Sequence, residues 1–526
     1  RKKELDLLNS AIEKSDVLWL SGIMGIGKST LAAKIIDQNY SNPEKGYTNL
    51  IFVDLKGSSK SKSTRALTLD EVRARIINEL QPQTFMPTDT SRLSDFYKNI
   101  ISNKKIIIFL DNARDDRQIS DLFYKQEQSK WLMVVTSRNR LEYNYDNVFN
   151  LEVNALDKED AKRLLESLAP DIRDRSEEIV RLCKYLPLAI LWAGKFLNNK
   201  VDNYDSYIKK LKEKIDEKDC NSYEKHRNIA TEVISVNYEY LSEDEKSAWL
   251  DLAIFDSTFN KEALSSIWRL GEEDNEYRDQ LINHFLSLSL AEYNKSTERY
   301  FLHSAAKIFT AEKINPDRRE ENTIIYSTHF LLILKDLNAQ YTKGGAIFIK
   351  SRTLFDLEWP NIESAYKLAR RKASAGKDYF KILIINYPID GFDILSLRQE
   401  LDDRIDMIKT GINMANDLEM WNEKGILEGI YGQALRHKGS KSDIEISIVL
   451  FENAIKTAKS SKSDKWVGIH LNDKGNAHAT LGDYEQAITE YNEALKYFEA
   501  IKNDTGKSIV LNNLSRAYID LGDTKK

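Results

Sequence analysis

A short glycine-rich segment constrains the fold of this chain more than any other feature. Residues 22–29 read Gly-Ile-Met-Gly-Ile-Gly-Lys-Ser; an apolar run precedes them at 17–20, and helix-forming residues follow from Leu31. A strand, a glycine loop and a helix in this order form a phosphate-binding loop, in which backbone N–H groups and the helix N-terminus surround an anion. The segment therefore predicts an α/β domain with a phosphate site at the end of its first strand.

The side chains of this loop have distinct predicted roles. Lys28 is expected to reach the β- and γ-phosphates of a nucleotide, and the hydroxyl of Ser29 is expected to ligate Mg²⁺. An ordinary glycine turn before a helix is the alternative, but it does not explain the Lys-Ser pair at the required spacing. The residues of the loop predicted to bind the nucleotide are Gly22, Met24, Gly25, Ile26, Gly27, Lys28, Ser29 and Thr30.

A second apolar run ends in a candidate metal ligand. Residues 106–110 are five consecutive apolar residues, as in a strand buried on both faces of a parallel sheet, and Asp111 follows them. Open α/β sheets bind ligands at the carboxyl ends of their strands, so Asp111 is expected to hold the Mg²⁺ that Ser29 also binds. The alternative is an aspartate that only caps the next turn.

A further strand is followed by a candidate phosphate ligand. Residues 131–135 predict a buried strand, and Thr136, Ser137 and Arg138 come directly after it. Arginine offers planar, permanently charged donors, so Arg138 is a candidate for the γ-phosphate; a surface arginine at the start of a loop fits the pattern equally well. With runs at 50–55 and 148–153, five strands alternate with helices and predict a mostly parallel sheet.

Composition and charge exclude several classes of protein. The chain has 526 residues, a net charge of -5 and two cysteines, Cys183 and Cys220. This charge gives no support for a protein that binds nucleic acid over its whole surface, and two cysteines cannot form a disulfide framework, which favours a reducing cytoplasm. No apolar run approaches the roughly 18 residues of a membrane span. The basic stretch 56–65 suggests a nucleic-acid or phosphate contact, or a solvated loop; its lack of aromatic residues favours the loop.

The order of these motifs resembles the NB-ARC type of STAND signal-transduction ATPase, which includes plant disease-resistance receptors, apoptosome subunits and many bacterial regulators and defence proteins. Residues 22–30 resemble its Walker A loop, residues 106–111 its Walker B strand, and residues 136–138 its sensor-one triplet. Arg1 resembles the arginine that opens the module near the nucleotide base. The resemblance implies bound ATP or ADP with Mg²⁺, and an effector domain that would precede Arg1 in a longer chain.

Two later segments extend this resemblance. Residues 186–189 are similar to the G-L-P-L-A signature, with Tyr185 in place of the glycine, which implies that Pro187 packs on the adenine. A helix that merely begins with proline is the alternative. His303 follows a predicted hairpin and is similar to the histidine of the M-H-D segment, which implies contact with the β-phosphate of ADP; here the acid of that segment is Ser304, and a polar helix cap is the alternative.

One departure from the family predicts weak catalysis. Related proteins commonly carry a second acid after the Walker B aspartate, whereas Asn112 follows Asp111 in this chain. An amide can orient water but cannot accept its proton, so we expect tight nucleotide binding with slow or absent hydrolysis. Asp115 and Asp116 are candidate substitutes for the missing acid. The candidate catalytic residues are Asp111, Asn112 and Arg138.

The C-terminal part of the chain contains an internal repeat. Ala434, Ala477 and Ala517 each precede a glycine by five residues, and they recur 43 and 40 residues apart (434 to 477 to 517). This pattern resembles tetratricopeptide repeats, whose small residues let paired helices approach while an aromatic ring fills the gap behind. Such helix pairs stack, and the concave face of the stack binds proteins or peptides; a purely structural spacer is the alternative.

These motifs together predict five domains and one function. The expected function is a cytoplasmic switch in which a protein or peptide ligand on the repeats promotes exchange of ADP for ATP, opening and homo-oligomerisation. The switch would activate an N-terminal effector, in innate immunity or antiphage defence. A DNA-binding transcriptional regulator and a repeat scaffold with an inactive nucleotide site stay open. The predicted domains are a P-loop nucleotide-binding domain (1–154), a helical domain (155–226), a winged helix (227–315), a helical linker or start of the solenoid (316–400) and tetratricopeptide-like repeats (401–526).

Overall fold

The structure, a computed structural model, forms two compact units. The first comprises Arg1–Ala253 and Thr258–Ile314, and the second comprises Ile254–Ser257 and Asn315–Lys526. Most of the basic stretch 56–65 and Cys220 lie outside the described residues, so the interpretations placed on them stay predictions. The described residues are 1–57, 66–81, 87, 89–102, 104–123, 131–200, 204–216, 224–397, 399 and 401–522.

The first unit is built on a parallel sheet of five strands, which confirms the predicted fold class. The strands are β1 (Val17–Ser21), β2 (Asn49–Asp54), β3 (Ile106–Ala113), β4 (Leu132–Ser137) and β5 (Val148–Glu152). They lie in the order β2-β3-β4-β1-β5, and every neighbouring pair is parallel. Because β4 separates β1 from β3, the end of β4 lies between the phosphate loop and Asp111.

Helices surround this sheet and continue after it. One face of the sheet packs on α3 (Leu69–Leu80) and α4 (Thr90–Ile101) in a core that contains Trp19, Ile76, Tyr97, Ile108 and Met133. The later helices are joined by the hairpin of β6 (Glu292–Asn294) and β7 (Arg299–Phe301). The helices of this unit are α1 (Lys2–Ile12), α2 (Lys28–Tyr40), α3 (Leu69–Leu80), α4 (Thr90–Ile101), α5 (Lys158–Leu168), α6 (Ser176–Leu182), α7 (Pro187–Lys200), α8 (Tyr204–Asp216), α9 (Glu224–Glu239), α10 (Glu243–Asp251), α11 (Lys261–Trp268), α12 (Asn275–Ser287) and α13 (Ser304–Lys313).

In the part of the second unit that the structure describes, all regular elements are helices. Long helices lead into shorter antiparallel ones that pack in sequence. They are α14 (Pro316–Tyr341), α15 (Gly345–Ser374), α16 (Asp378–Asp390), α17 (Leu401–Asp417), α18 (Trp421–Lys438), α19 (Lys441–Ser460), α20 (Asp464–Thr480), α21 (Tyr484–Ala500) and α22 (Asp504–Leu521).

Close approach at glycine explains how the repeated helices pair. A Cβ atom added at Gly432 on α18 would lie 2.8 Å from the ring of Phe451 on α19. One added at Gly475 on α20 would lie 2.6 Å from the ring of Tyr491 on α21. Each ring therefore occupies the space that a side chain on the preceding helix would need. This packing confirms stacked helix pairs of the tetratricopeptide type.

A short segment from the middle of the first unit's sequence belongs to the second unit. Within Ile254–Ser257, Phe255 packs edge-to-face on Tyr326, with ring centroids 5.6 Å apart. The buried side-chain oxygen of Asn361 accepts hydrogen bonds from the backbone N–H of Ser257 at 3.3 Å and from the hydroxyl of Tyr326 at 3.1 Å. The four residues are thus integrated into the packing of α14 and α15.

In the described part of the chain, no helix has both the length and the apolar character that crossing a membrane requires.

Candidate functional site

The phosphate loop joins β1 to α2 and has the backbone of an anion site. Gly22, Gly25 and Gly27 have φ angles of 148°, 77° and 94°, which residues with a Cβ atom rarely adopt. Helix α2 begins at Lys28, and no side chain caps its N-terminus. The N–H groups of its first turn are therefore oriented toward the loop, where the helix dipole favours negative charge.

The side chain of Lys28 lies inside the phosphate loop, where a bound phosphate would lie beside it. Its ammonium group donates to the carbonyl oxygens of Gly22 at 2.8 Å and Ile23 at 2.9 Å. Burial, and then the positive charge of Arg138, lower the pKa of Lys28 to about 8. An enclosed cation held only by neutral carbonyl groups favours an anionic ligand, because a phosphate would compensate both the burial and the repulsion.

The candidate metal ligands meet at the carboxyl end of the sheet. The hydroxyl of Ser29 donates to the carboxylate of Asp111 at 2.8 Å. The hydroxyl of Thr136, at the end of β4, donates to the same oxygen of Asp111 and accepts from the backbone N–H of Asn112 at 2.9 Å. A hydroxyl beside a carboxylate suits Mg²⁺, which completes its octahedral shell with phosphate oxygens and water. Among the described residues no set of three or more His, Cys, Asp or Glu side chains forms a metal site by itself.

Asn112 occupies a bulge in β3 just beyond Asp111. The pairing of β3 with β4 shifts register between Leu110 and Ala113, and Asn112 has a φ of 63°. Asparagine tolerates this left-handed conformation better than most residues. Its carbonyl oxygen accepts a hydrogen bond from Gly57 at 2.8 Å, which fixes the bulge to the end of β2.

Asp115 and Asp116, the candidate substitutes for the missing acid, both have partners in the local fold. The carboxylate of Asp115 caps a turn of 3-10 helix by accepting from the backbone N–H of Gln118 at 3.1 Å, and it pairs with Arg114 at 3.1 Å. Asp116 is fully buried and accepts from the backbone N–H groups of residues 142 and 143 and from the hydroxyl of Tyr145. Both side chains hold the local fold.

Arg138, Arg1 and Thr30 are also predicted nucleotide ligands, and each lies in a different environment. Arg138 donates to the sulfur of Met24 at 3.5 Å, so the sensor arginine and the loop are in contact. Arg1 donates to the carbonyl oxygen of Ile26 at 2.8 Å, at the far side of the loop. Thr30 lies exposed in the first turn of α2. Their roles toward a nucleotide stay predictions.

Helix α7 begins directly on the phosphate loop. The backbone N–H of Leu188 donates to the carbonyl oxygen of Gly25 at 3.2 Å, and a Cβ atom added at Gly25 would lie 2.8 Å from that of Leu188. Pro187, predicted to pack on the adenine, is the first residue of α7; its ring lies 4.0 Å from where a Cβ atom of Gly27 would be. The L-P-L-A segment thus closes one side of the loop.

His303 comes from the last part of the first unit's sequence. It precedes α13, its Nδ1 accepts from the backbone N–H of Ala305 at 3.1 Å, and its ring packs edge-to-face on Trp192 with centroids 5.9 Å apart. Burial, followed by the charges of Arg138 and Lys28, lowers the pKa of His303 to about 4. The imidazole is therefore neutral at pH 7, and its Nε2 carries the proton.

Sequence reasoning placed the ligands of the loop but missed three contacts. It did not predict that Thr136 bridges Asp111 and Asn112, that Leu188 fills the space beside Gly25, or that Trp192 supports His303. A signal existed for two of them, because Thr136 heads the sensor triplet and Leu188 lies within the L-P-L-A segment.

A phosphate loop, a carboxylate beside its serine and a five-stranded parallel sheet define a P-loop nucleotide-binding protein. Comparison with known families agrees: residues 3–174 match the NB-ARC domain, and residues 466–526 match the tetratricopeptide repeat. The chain therefore contains an NB-ARC domain of the STAND ATPase type and C-terminal tetratricopeptide repeats. The NB-ARC match implies nucleotide binding, and the repeats suggest interactions with proteins.

Known proteins that resemble this chain differ widely in source. Disease resistance protein RPP2B of Arabidopsis thaliana is 26% identical over 287 residues, covering 52% of this chain and 22% of the relative. Apoptotic protease-activating factor 1 of Homo sapiens is 23% identical over 332 residues, covering 60% and 26%. The crystal structure of the STAND protein PH0952 from Pyrococcus horikoshii, which has a tetratricopeptide repeat sensor, aligns over 99% of this chain and 86% of its own, with 16% identity and a TM-score of 0.45. The chain spans about a quarter of the length of these two curated relatives.

Replacing Lys28 by alanine should remove bound nucleotide, because the loop then loses the only ammonium group enclosed by it among the described residues. Nucleotide released by acid from gently purified full-length chain, and quantified by ion-exchange chromatography, measures this loss. Lys34→Ala, an exposed position further along α2, is the matched control and should retain wild-type nucleotide content. Nucleotide that remains with Lys28→Ala would contradict the site, and a wild type without nucleotide would favour the inactive scaffold.

Acid should destabilise the first unit through His303. The unfolded state has a pKa near 6.5 at this residue and the folded state one of about 4, so the unfolded state binds more protons between these values and stability falls as the pH drops through this window. Between pH 7 and pH 5 the loss is about 2 kcal/mol. His303→Asn keeps a capping acceptor for Ala305 without titrating, and should lack this loss in urea unfolding. Added ADP should shrink the difference, because phosphate offsets the two cations; equal acid sensitivity of both proteins would contradict the assignment.

Proposed function

We propose that this chain is the nucleotide-operated switch of a signalling protein, in which ADP holds the first unit closed and exchange for ATP opens it. Ligand binding on the repeats would favour the exchange, and the ATP form would assemble into a homo-oligomer that brings effector domains together. The NB-ARC match supports nucleotide binding. Innate immunity or antiphage defence is the proposed setting, in keeping with the disease-resistance proteins that the chain resembles.

The contact between α7 and the phosphate loop carries this proposal. Leu188 bonds to Gly25 through its backbone and fills the space beside that glycine, so a loop that changes shape around a different nucleotide must displace the start of α7. A nucleotide shifts an equilibrium only as far as its contacts differ between the two states. The contacts of Leu188 with Gly25 supply such a difference between the two states, because they form only while the start of α7 packs on the loop.

His303 adds a second state-dependent contact. Its neutral ring packs on Trp192, and the charges of Arg138 and Lys28 act on it, an arrangement that favours an additional negative charge nearby. A diphosphate in the loop would accept a hydrogen bond from Nε2 and hold α13 close to the nucleotide. A closed ADP state requires a group from a distant part of the sequence that contacts the phosphates of the nucleotide.

Hydrolysis is a minor part of this proposal. Asp111 would hold Mg²⁺ together with Ser29, whose hydroxyl donates to it, but the next residue is an amide, and Asp115 and Asp116 have structural partners. No carboxylate is therefore assigned to accept the proton of an attacking water. The chemistry left to these residues is binding and orientation, so signal duration would depend on nucleotide exchange rather than on turnover.

Leu188→Ala should accelerate the release of ADP several-fold, because it removes the side chain that seats α7 on the loop. Release of fluorescently labelled ADP, chased with excess ATP, measures the effect in stopped flow. Leu197→Ala, a buried leucine further along α7, is the control: both variants should lose stability, by about 2–5 kcal/mol, but only Leu188→Ala should change ADP release. Identical release rates for the two variants would refute the role of this junction.

Asn112→Asp should raise the rate of ATP hydrolysis at least tenfold, because aspartate tolerates the same backbone conformation and supplies the missing proton acceptor. Phosphate release from the full chain with ATP and Mg²⁺ gives the rate, and we expect the wild type to stay below about 1 s⁻¹. Asn9→Asp adds the same charge on the exposed side of α1 and should have no effect. Faster hydrolysis by the wild type would contradict the proposal.

A further inference from the structure

Arg138 extends from a backbone segment that is fixed beside the phosphate loop. The carbonyl oxygen of Ser137, the last residue of β4, accepts a hydrogen bond from the N–H of Gly22 at 3.2 Å. The carbonyl oxygen of Asn139 accepts another from the indole N–H of Trp19 on β1, also at 3.2 Å. Both neighbours of Arg138 are thus tied to β1 or to the start of the loop, so a change in what Arg138 binds requires a movement of its side chain rather than of its backbone.

The guanidinium group of Arg138 contacts the sulfur of Met24. One terminal nitrogen of the guanidinium donates to this thioether at 3.5 Å, and Met24 is buried, with 8% of its surface exposed. Met24 directly follows Ile23, whose carbonyl oxygen accepts from the ammonium group of Lys28 at 2.9 Å. The contact therefore joins Arg138 to the part of the loop that lies next to its enclosed cation.

A thioether is a poor partner for a guanidinium group. The sulfur of methionine is a weak acceptor, whereas phosphate oxygens bind arginine through short, charge-assisted hydrogen bonds that often form in pairs. A phosphate oxygen within reach of the guanidinium would therefore displace the sulfur. The methionine side chain has three rotatable bonds, which let it withdraw without a change in the backbone of the loop.

The charges around Arg138 favour this displacement. Burial, and then the charge of Arg138, lower the pKa of both Lys28 and His303, so three basic groups act on one another in one region. An additional phosphate would relieve this repulsion. Because Lys28 is expected to engage the β-phosphate of either nucleotide, the additional partner for Arg138 is the third phosphate of ATP.

The strand order indicates which phosphate comes within reach of Arg138. Strand β4 lies between β1, which leads into the loop, and β3, which carries Asp111. The hydroxyl of Ser29, at the start of α2, spans this gap by donating to Asp111 at 2.8 Å. A phosphate chain that runs from the loop toward Asp111 therefore crosses the end of β4, where Arg138 begins. The third phosphate lies farther along this path than the second.

We propose that Met24 is a specificity-determining residue of the nucleotide site, whose thioether holds Arg138 away from the third phosphate and so favours ADP over ATP. This inference rests on the proposed function and names a contact that regulates its exchange step. Binding of ATP must break the bond between Arg138 and Met24, whereas binding of ADP leaves it intact. The free energy of this bond therefore lowers the affinity for ATP alone.

Packing alone is the competing explanation for Met24. A buried methionine can fill a gap in a loop and contact an arginine without any effect on ligands. The two explanations differ in what leucine would do at this position, since leucine keeps nearly the same apolar volume but has no acceptor atom. Met24→Leu therefore removes the bond to Arg138 and retains the packing.

Competition with fluorescently labelled ADP on the full chain measures both affinities. ADP and a triphosphate analogue with a non-hydrolysable β,γ-imido bridge are each titrated, with Mg²⁺, against the labelled nucleotide. Met24→Leu should bind the analogue tighter by about threefold or more, as one lost hydrogen bond predicts, with unchanged affinity for ADP. Met133→Leu, which replaces a buried methionine of β4 in the core beside α3 and α4, is the matched control and should change neither affinity.

Two further measurements separate the bond from the shape of the loop. Arg138→Gln should weaken binding of the analogue relative to ADP, and Met24→Leu added to Arg138→Gln should have no further effect, because the bond is already absent. The chain has six methionines, whose labelled methyl groups give an NMR spectrum. The resonance that is missing from Met24→Leu should shift farther with the analogue than with ADP.

Three results would overturn the proposal. They are an unchanged ratio of the two affinities in Met24→Leu, the same gain from this substitution with Arg138 and without it, and equal shifts of the Met24 methyl group with both nucleotides. A wild type that binds neither nucleotide rejects the proposed function itself. Binding of both nucleotides together with any of the three negative results rejects only the role of Met24.

Discussion

The enclosed positive charge of Lys28 is the constraint on which the first unit depends. An ammonium group inside a glycine loop, with carbonyl oxygens as acceptors and Arg138 nearby, favours an anion beside it. The positive φ angles of the loop and the uncapped start of α2 also favour an anion at this point, and the order of the strands brings the other ligands to it. The same charge lowers the pKa of His303, so the loop influences a residue that is remote in sequence.

The strand order explains why several segments converge on this charge. Because β4 lies between β1 and β3, its terminal Thr136 reaches Asp111, while Arg138 reaches Met24 in the loop. Parallel strands bring their carboxyl ends to one edge, and α7 covers that edge through Leu188. The site is thus assembled from segments that lie between residues 22 and 188 of the sequence, and the loop is the part that they share.

The sequence indicated the parts of this site that depend on local spacing. The glycine loop, Ser29 and Asp111 could be predicted because a strand, a turn and a helix leave short-range patterns. Thr136 and Leu188 could not be given their contacts, since these follow from strand order and from the seating of α7. The surroundings of Asp115 and Asp116 could not be predicted either, because a sequence does not show that one caps a turn and the other is fully buried. In the repeats, the glycine and aromatic pattern predicted the pairing of neighbouring helices.

The position of Ile254–Ser257 limits how this chain can be divided into fragments. A helical fragment that starts at Asn315 would lack these four residues, and the buried Asn361 would lose the N–H group of Ser257 while Tyr326 would lose the ring of Phe255. A fragment that ends at Ile314 would carry the same four residues exposed to water. Domain borders drawn from sequence order alone would therefore yield two imperfect pieces, and only a cut that keeps this segment with α14 and α15 preserves the native packing of these two helices.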